Sequence, residues 1–436
     1  MPQRTARRTT SRTTKKKTTR KSAANGKLDK KPQAKKTPAK KVTKSEDAQN
    51  RTALKLVMEL MAIPGPSGEE RLIVEAIRKK LLAGGAKKSM LSIDDTPKKS
   101  PLGGNSGGLI LKVPGKRGLP RRLLMAHVDT VPLCVGCKPV RRGDFVVSAN
   151  KSTALGADDR AGASVVLNAA LAVLKSKVDH PPLTFYWPVQ EEVGLFGARF
   201  ISMAKLGNPK LGFNFDGGDY QKLIIGATGA YRLEIEVRGH ASHAGMSPER
   251  GVSAIAIASL AIADLARGGW HGDIHKNGHH GTSNIGVIQG GAATNVVTDL
   301  VKLRAEARSH DPKFRKKILS EMTAAFRRAA KQVANVDGKT GKTQVTSRLD
   351  YESFLLGEDD PCVQIGENAV RQAGGTPVCA IANGGVDANW LSARGLPTVT
   401  FGCGQINPHM VTEQLDIQQF HHACQVGLSL AFGSQT

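Results

Sequence analysis

Short apolar runs end again and again in the same few residue types, and that repetition limits the folds open to this 436-residue chain. Leu123-Leu-Met-Ala leads into His127 and Asp129, the run Leu183 to Val189 into Glu191 and Glu192, and Phe213-Asn-Phe into Asp216, while Thr398-Val-Thr-Phe401 runs ahead of His409. A helical stretch from Arg160 to Leu174 follows the pair Asp158-Asp159 and lies between two of the runs. Apolar runs alternating with helices argue for an α/β fold with a largely parallel sheet covered by helices. In such open sheets ligand sites form where loops leave the carboxyl ends of the strands. Residues far apart in the chain are therefore expected on one rim. Any one of them alone reads as a surface acid or a satisfied histidine. Five carboxylates crowded together would repel unless cations compensated them, and carboxylate with imidazole is a donor set that suits zinc.

Between residues 229 and 352 the pattern changes. Tyr231, Leu233, Ile235 and Val237 alternate with Arg232, Glu234, Glu236 and Arg238, the period of a strand with one wet face. A helix from about Val252 to Leu265 follows, then strands at Ser283 to Gln289 and Leu300 to Arg308. Ile318, Met322, Ala325, Ala329 and Val333 stripe a second helix, and Gln344 to Leu349 offers a closing strand. The order βαββαβ is the ferredoxin-like unit. The expected organisation is a basic tail at 1–47, a main domain at 48–228 and 353–436, and an inserted ferredoxin-like domain at 229–352. Near the start of the main domain, Leu54, Val57, Met58 and Met61 mark one helical face. Ser67-x-x-Glu70 then has capping-box spacing ahead of a second face, Ile73, Ile77 and Leu81.

The net charge of +26 is unevenly placed, since residues 1–45 hold 17 Lys or Arg against the single acid Asp29. Almost without large apolar residues, this segment cannot offset its chain entropy and is expected to be disordered. Its lysine runs suit loose, non-specific contact with nucleic acid or another polyanion, or simply a solvated arm. It lacks the apolar core of a secretory signal, and no run in the chain reaches the ~18 apolar residues of a membrane span. Six scattered cysteines fit a reducing compartment, so the cytoplasm is the expected location. Cys134-Val-Gly-Cys137 has the spacing of a zinc or redox pair, but no second ligand pair stands near it. His271, His275, His279 and His280 read as an exposed loop able to take up metal adventitiously.

Five strings carry a resemblance: Met125-Ala-His-Val-Asp-Thr-Val-Pro132, Gly156-Ala-Asp-Asp-Arg-Ala-Gly162, Gln190-Glu-Glu-Val-Gly194, Gly239-His-Ala-Ser-His-Ala-Gly245 and Asn407-Pro-His409. In their order and spacing the chain, from residue 50 onward, resembles the zinc-dependent exopeptidases, which include peptidase T, related di- and carboxypeptidases, and aminoacylases. The Gly-Ala-Asp-Asp form is most similar to the peptidase T branch. The resemblance implies a zinc-exopeptidase catalytic domain whose inserted domain serves as lid and dimerisation unit, with two Zn2+ (or Mn2+ or Co2+) and short peptides as substrates. Asp158 would bridge the two ions, His127 and Asp216 would complete one site, and Glu192 and His409 the other. A bridging carboxylate lets two cations sit roughly 3.5 to 4 Å apart and share a water. Glu191 would be the general base, with Asp129 holding the His127 imidazole.

His243 would cross a homodimer interface to stabilise the oxyanion. Asn295 and Arg308 match substrate-binding positions, and Gly384, Gly385 and Asp387 match a Gly-Gly-x-Asp loop beside the substrate. On residues alone, Arg308 reads equally as a solvated charge, the two glycines as a plain turn, and Asp159 as either an orienting group or an exposed acid. Asp216 stands where carboxypeptidase- and deacylase-like members tend to carry Glu, which favours an aminopeptidase over a carboxypeptidase or an N-acyl amino acid amidohydrolase. A reading of another class makes the chain a nucleic-acid-associated protein acting through its basic tail.

Overall fold

The computed structural model describes residues 44–433. The basic segment before residue 44, with the disorder and polyanion contacts expected of it, lies outside the described residues. A helix, Lys44–Met61, begins slightly ahead of the expected domain start and buries Ala53, Leu56, Val57, Leu60 and Met61. The next helix, Arg71–Ala83, buries Ile73, Val74, Ile77 and Leu81, as its spacing predicts. Its capping box does not form. Glu70 occupies the N-cap without a side-chain cap bond; Ser67 turns to Asp129 far along the chain, and the Glu70 carboxylate accepts from the nearby Gly68 N–H and the distant Gln190 N–H.

The main sheet has nine strands, and its centre is parallel. Leu183–Trp187, Arg122–Met125, Leu211–Phe215 and Thr398–Phe401 lie side by side in that order, all running the same way. Antiparallel neighbours flank them, Leu109–Val113 on one side and Lys222–Ala227 on the other. Central strands of this kind are buried on both faces, so they read as continuous apolar runs rather than alternating ones. Leu124, Phe185, Phe213 and Phe215 enter a core roofed by the helices Ala157–Lys175 and Ile417–Phe432. Leu123, Met125 and Tyr186 enter a second core with Ile201, Leu206, Leu391 and Leu396. Each such fully buried side chain contributes about 1.5–3 kcal/mol through burial of apolar surface.

A second, five-stranded sheet is built wholly from residues 229–351. Four of its strands, Gly229–Arg238, His279–Gly290, Leu300–Ser309 and Lys342–Tyr351, pair antiparallel in the ferredoxin-like order, fourth, first, third, second. Leu233, Ile235, Val237, Val301 and Leu303 pack beneath the helices Ala254–Arg267 and Pro312–Gln332 through Ile257, Ala261, Ile318, Met322 and Phe326. The histidine-rich segment departs from expectation. It forms a fifth strand, Gly272–Lys276, which closes a hairpin with His279–Gly290, because backbone pairing at the sheet edge overrides its loop-like composition.

The opposite, charged face of this sheet bears Arg232, Glu234, Arg304, Glu306, Arg308, Arg348 and Asp350, and it roofs a cavity of about 1060 Å³ above the main sheet. The chain crosses between the sheets twice, and one side chain ties both crossings: Asn389 Nδ2 donates to the carbonyls of Thr228 at 2.9 Å and Glu352 at 2.6 Å. Among the described residues no helix is long and apolar enough to cross a membrane.

Helix Ala157–Lys175 packs so tightly on the sheet that a Cβ at Gly162 would collide with the Phe215 carbonyl and the Asp159 carboxylate. Gly162→Ala is expected to cost about 1–3 kcal/mol of stability through overpacking, in spite of alanine's better helix propensity. Chemical denaturation checks this, and an unchanged or raised midpoint would contradict the packing.

Candidate metal centre

The four parallel strands bring their carboxyl ends to one edge, and the loops leaving them carry the acids and imidazoles. Asp158 is the meeting point. Its Oδ1 lies 3.2 Å from His127 Nε2 and its Oδ2 lies 3.2 Å from His409 Nε2, so one carboxylate spans two imidazoles 282 positions apart in sequence. His409 Nε2 also lies 2.9 Å from the Glu192 carboxylate. Donor atoms of His127, Asp158 and Glu192 all fall within 4.8 Å of one another, as do those of His127, Asp159 and Asp216. Two overlapping donor clusters thus share His127 and adjoin at the Asp158-Asp159 pair, which is joined by a cis peptide bond.

The electrostatics say what such a site lacks. Burial raises the Glu192 carboxyl to about 7, with Asp158 and Asp129 adding to the shift. Burial likewise raises Asp216 to about 6, with Asp158 adding, and it holds Glu191 well above the usual carboxylate range beside Asp216, Asp387 and Glu192. His409 is raised to about 9, chiefly by its contact with Asp158 and then by Glu192. Burial opposes the charged form of His127, yet Glu191, Asp129 and Asp158 outweigh it. Imidazole and carboxylate donors at these separations, with Glu191, Glu192 and Asp216 each destabilised by acidic neighbours, fit divalent cations.

Supporting contacts fix the donors. Asp129 is fully buried, and its two oxygens accept the backbone N–H groups of Glu191 at 3.0 Å and Glu192 at 3.2 Å. Ser67 Oγ donates to the same carboxylate at 2.7 Å. The His127 Nδ1 lies 3.1 Å from the Asp129 backbone carbonyl and 3.5 Å from its carboxylate. Asp129 therefore orients the Glu191–Glu192 turn as much as the imidazole. Asp159 is buried, not exposed: Oδ1 accepts from Gln405 Nε2 at 2.9 Å and from the Gly162 N–H at 3.0 Å. Its Oδ2 has no hydrogen-bond partner among the described residues.

His409 rides the turn of a short hairpin, Gln405–Ile406 with Gln414–Asp416, with its backbone in the left-handed region at φ 62°. That hairpin also supplies a residue missed in the sequence reading. Glu413, 2% exposed, accepts the N–H groups of Leu155 at 2.8 Å, Gly156 at 2.7 Å and Asp158 at 3.0 Å. It staples the His409 loop to the Asp158 loop. Glu70 was missed too; its Oε1 accepts from Gly68 N at 2.7 Å and Gln190 N at 3.1 Å and so braces the loop ahead of Glu191. Arg160 is a third, a buried guanidinium whose charge faces Asp129, Glu70 and Asp159.

The remaining candidates divide. Glu191, Glu192, Asp158, Asp216 and His409 line the large cavity, and so do Gly385 and Arg308, the latter held by Glu306 through two 2.9 Å contacts. A Cβ at Gly385 would meet the Tyr351 ring at 2.6 Å, whereas Gly384 faces open space. Asp387 is buried beneath this loop with neither carboxylate oxygen hydrogen-bonded, and burial raises it to about 7. His243 and Asn295 do not line the cavity. They sit together on adjoining exposed loops, joined by the bond from Ala244 N to the Asn295 carbonyl. The Cys134 and Cys137 thiols are buried, raised by burial to about 12 and about 11, and Cys137 donates to the Leu155 carbonyl. They act as packing, not as a zinc knuckle.

Comparison with known proteins agrees with this layout. Residues 225–334 match the peptidase dimerisation domain and residues 109–246 match peptidase family M28. The uncharacterized protein YqjE of Bacillus subtilis is 30% identical over 363 residues, spanning 83% of this chain and 92% of that one. The chain belongs to the M20 family of peptidases. A tripeptidase from Staphylococcus aureus superposes on it with a TM-score of 0.79 at 28% identity, over 88% of this chain and 97% of the other. Aminopeptidase PepT from Bacillus cereus does so with a TM-score of 0.77 at 29% identity, over 88% and 98%. This M20 peptidase is thus a metallopeptidase similar to peptidase T.

Because Glu413 ties the two ligand loops through three backbone N–H groups, Glu413→Ala is expected to weaken metal binding, probed with Zn2+, by about 10- to 100-fold, as loss of outer contacts does in other metal sites. Competition with a chromophoric chelator measures it; wild-type affinity in a folded variant would remove Glu413 from the site.

Proposed function

We propose that this chain is a dinuclear aminopeptidase of short peptides, using zinc, with manganese or cobalt as alternatives. The observation that carries the reading is the Asp158 carboxylate shared between His127 and His409, with Glu191 on the same cavity wall. Asp158 would be common to both ions, with His127 and Asp216 on one and Glu192 and His409 on the other. Bound there, two cations would offset the crowded carboxylates, polarise the scissile carbonyl and lower the pKa of a shared water.

The chain's own residues do the rest. Glu191, with its carboxyl raised by burial among other acids, is suited to take a proton from water and hand it to the departing amine. Its position is set by Asp129 through the backbone. Arg308 and the Gly385 backbone border the cavity where peptide lies, and the buried Asp387 carboxyl sits beneath that glycine loop. His243 Nδ1 accepts the N–H groups of Gly245 at 3.2 Å and Met246 at 3.1 Å, which leaves Nε2 as the N–H donor, the form an oxyanion requires. Since His243 and Asn295 lie away from their own cavity, we place them in the cavity of a second copy. Exposed Met246, Ile255 and Val296 near these loops give such a homodimer an apolar contact. Six free cysteines support a cytoplasmic setting.

The test is a panel of free tripeptides, N-blocked peptides and N-acyl amino acids. Release of the first residue from free tripeptides is expected, and cleavage confined to blocked substrates would replace the aminopeptidase with an amidohydrolase or carboxypeptidase. Glu191→Gln should lower kcat by about 10²–10⁴-fold while metal content stays at the wild-type level. Mixing the inactive variants Glu191→Gln and His243→Ala under subunit exchange should restore roughly a quarter of wild-type turnover, because half the dimers then hold one complete site. No recovery would place His243 in its own subunit's chemistry or outside it altogether.

A further inference from the structure

We propose a third metal site, on the edge hairpin of the inserted domain, formed by Asp273, His275 and His280 and selective for a borderline transition ion such as Zn2+. The pairing of Gly272–Lys276 with His279–Gly290 sets His275 directly opposite His280. Asp273, two residues before His275, shares its face of the strand. Three donors therefore project from one side of a two-stranded ribbon, and their ligating atoms lie within 4.8 Å of one another.

The side chains already converge. Nε2 of His275 lies 2.9 Å from one Asp273 oxygen and Nε2 of His280 lies 2.7 Å from the other. The two rings stack with centroids 4.5 Å apart. His279, the neighbour on the other face, is engaged elsewhere, 2.9 Å from Asp311. Two imidazoles and one carboxylate match the three-protein-ligand sets that hold zinc with a coordination position left open. The same donors disfavour Mg2+ and Ca2+, which prefer oxygen. Both imidazoles and the carboxylate are largely exposed, so an ion reaches them without rearrangement of the core. None of the three lines the catalytic cavity, so this site neither depends on the peptidase reading nor shares a ligand with it.

The experiment counts zinc on the full chain. Metal-free protein titrated with Zn2+ against a chromophoric chelator is expected to take up three equivalents per chain, and the double variant His275→Ala/His280→Ala two, with peptide turnover kept. His279→Ala should still bind three. Asp158→Asn serves to separate the two kinds of site: it should lose zinc from the catalytic centre while keeping the equivalent that the double variant loses. An unchanged count in the double variant, or the same loss in His279→Ala, would overturn the assignment. Retention of that equivalent with Mg2+ in place of Zn2+ would overturn the selectivity.

Discussion

Gathering acids where little water reaches them is costly, and the architecture of this enzyme is organised around meeting that cost. Asp158, Asp159, Glu191, Glu192, Asp216 and Asp387 crowd one region, Asp159 and Asp387 buried and the other four partly exposed to the cavity, and burial pushes nearly all of their carboxyls upward. Asp158 is the exception. Burial opposes its charge, but contacts from His127 and His409 hold it well below the ordinary range. A lone buried charge is unfavourable, so the acid that stays ionised is the one in contact with both imidazoles.

The scaffold makes that geometry repeatable. Parallel strands buried on both faces have little freedom to slip, since a one-residue shift would reverse the side chains entering each core. His127, Glu191 and Asp216 leave adjacent strands only a residue or a few beyond their ends, which fixes their spacing to the strand spacing. The loops are braced in turn by buried acids, Asp129 on one side and Glu413 on the other, each accepting backbone N–H groups from a ligand-bearing turn. A negatively charged residue thus serves here as mechanical support as well as ligand.

Much of this was legible in the residues. The central strands announce themselves because double-sided burial leaves an uninterrupted apolar run, and the inserted sheet because one wet face imposes a period of two. What escaped were features decided by distant partners. Ser67 and Glu70 have the local spacing of a helix cap, but Asp129 and the Gln190 N–H, 62 and 120 positions away, claim their side chains. Glu413 gives no local sign of its role, since its partners lie some 255 positions earlier. Strands as short as Gln405–Ile406 exist only through their pairing, and Gly272–Lys276, rich in polar residues, becomes a strand because a neighbour offers an open edge. Asp159 was ambiguous for the same reason: whether an acid is exposed depends on what the fold stacks above it.

The double tie made by Asn389 has a bearing on movement. With both crossings gripped by one amide, the two connecting segments are pinned to the main domain at one point, as a page is pinned to its spine. Sliding or separation of the two layers at that point would break one grip or the other.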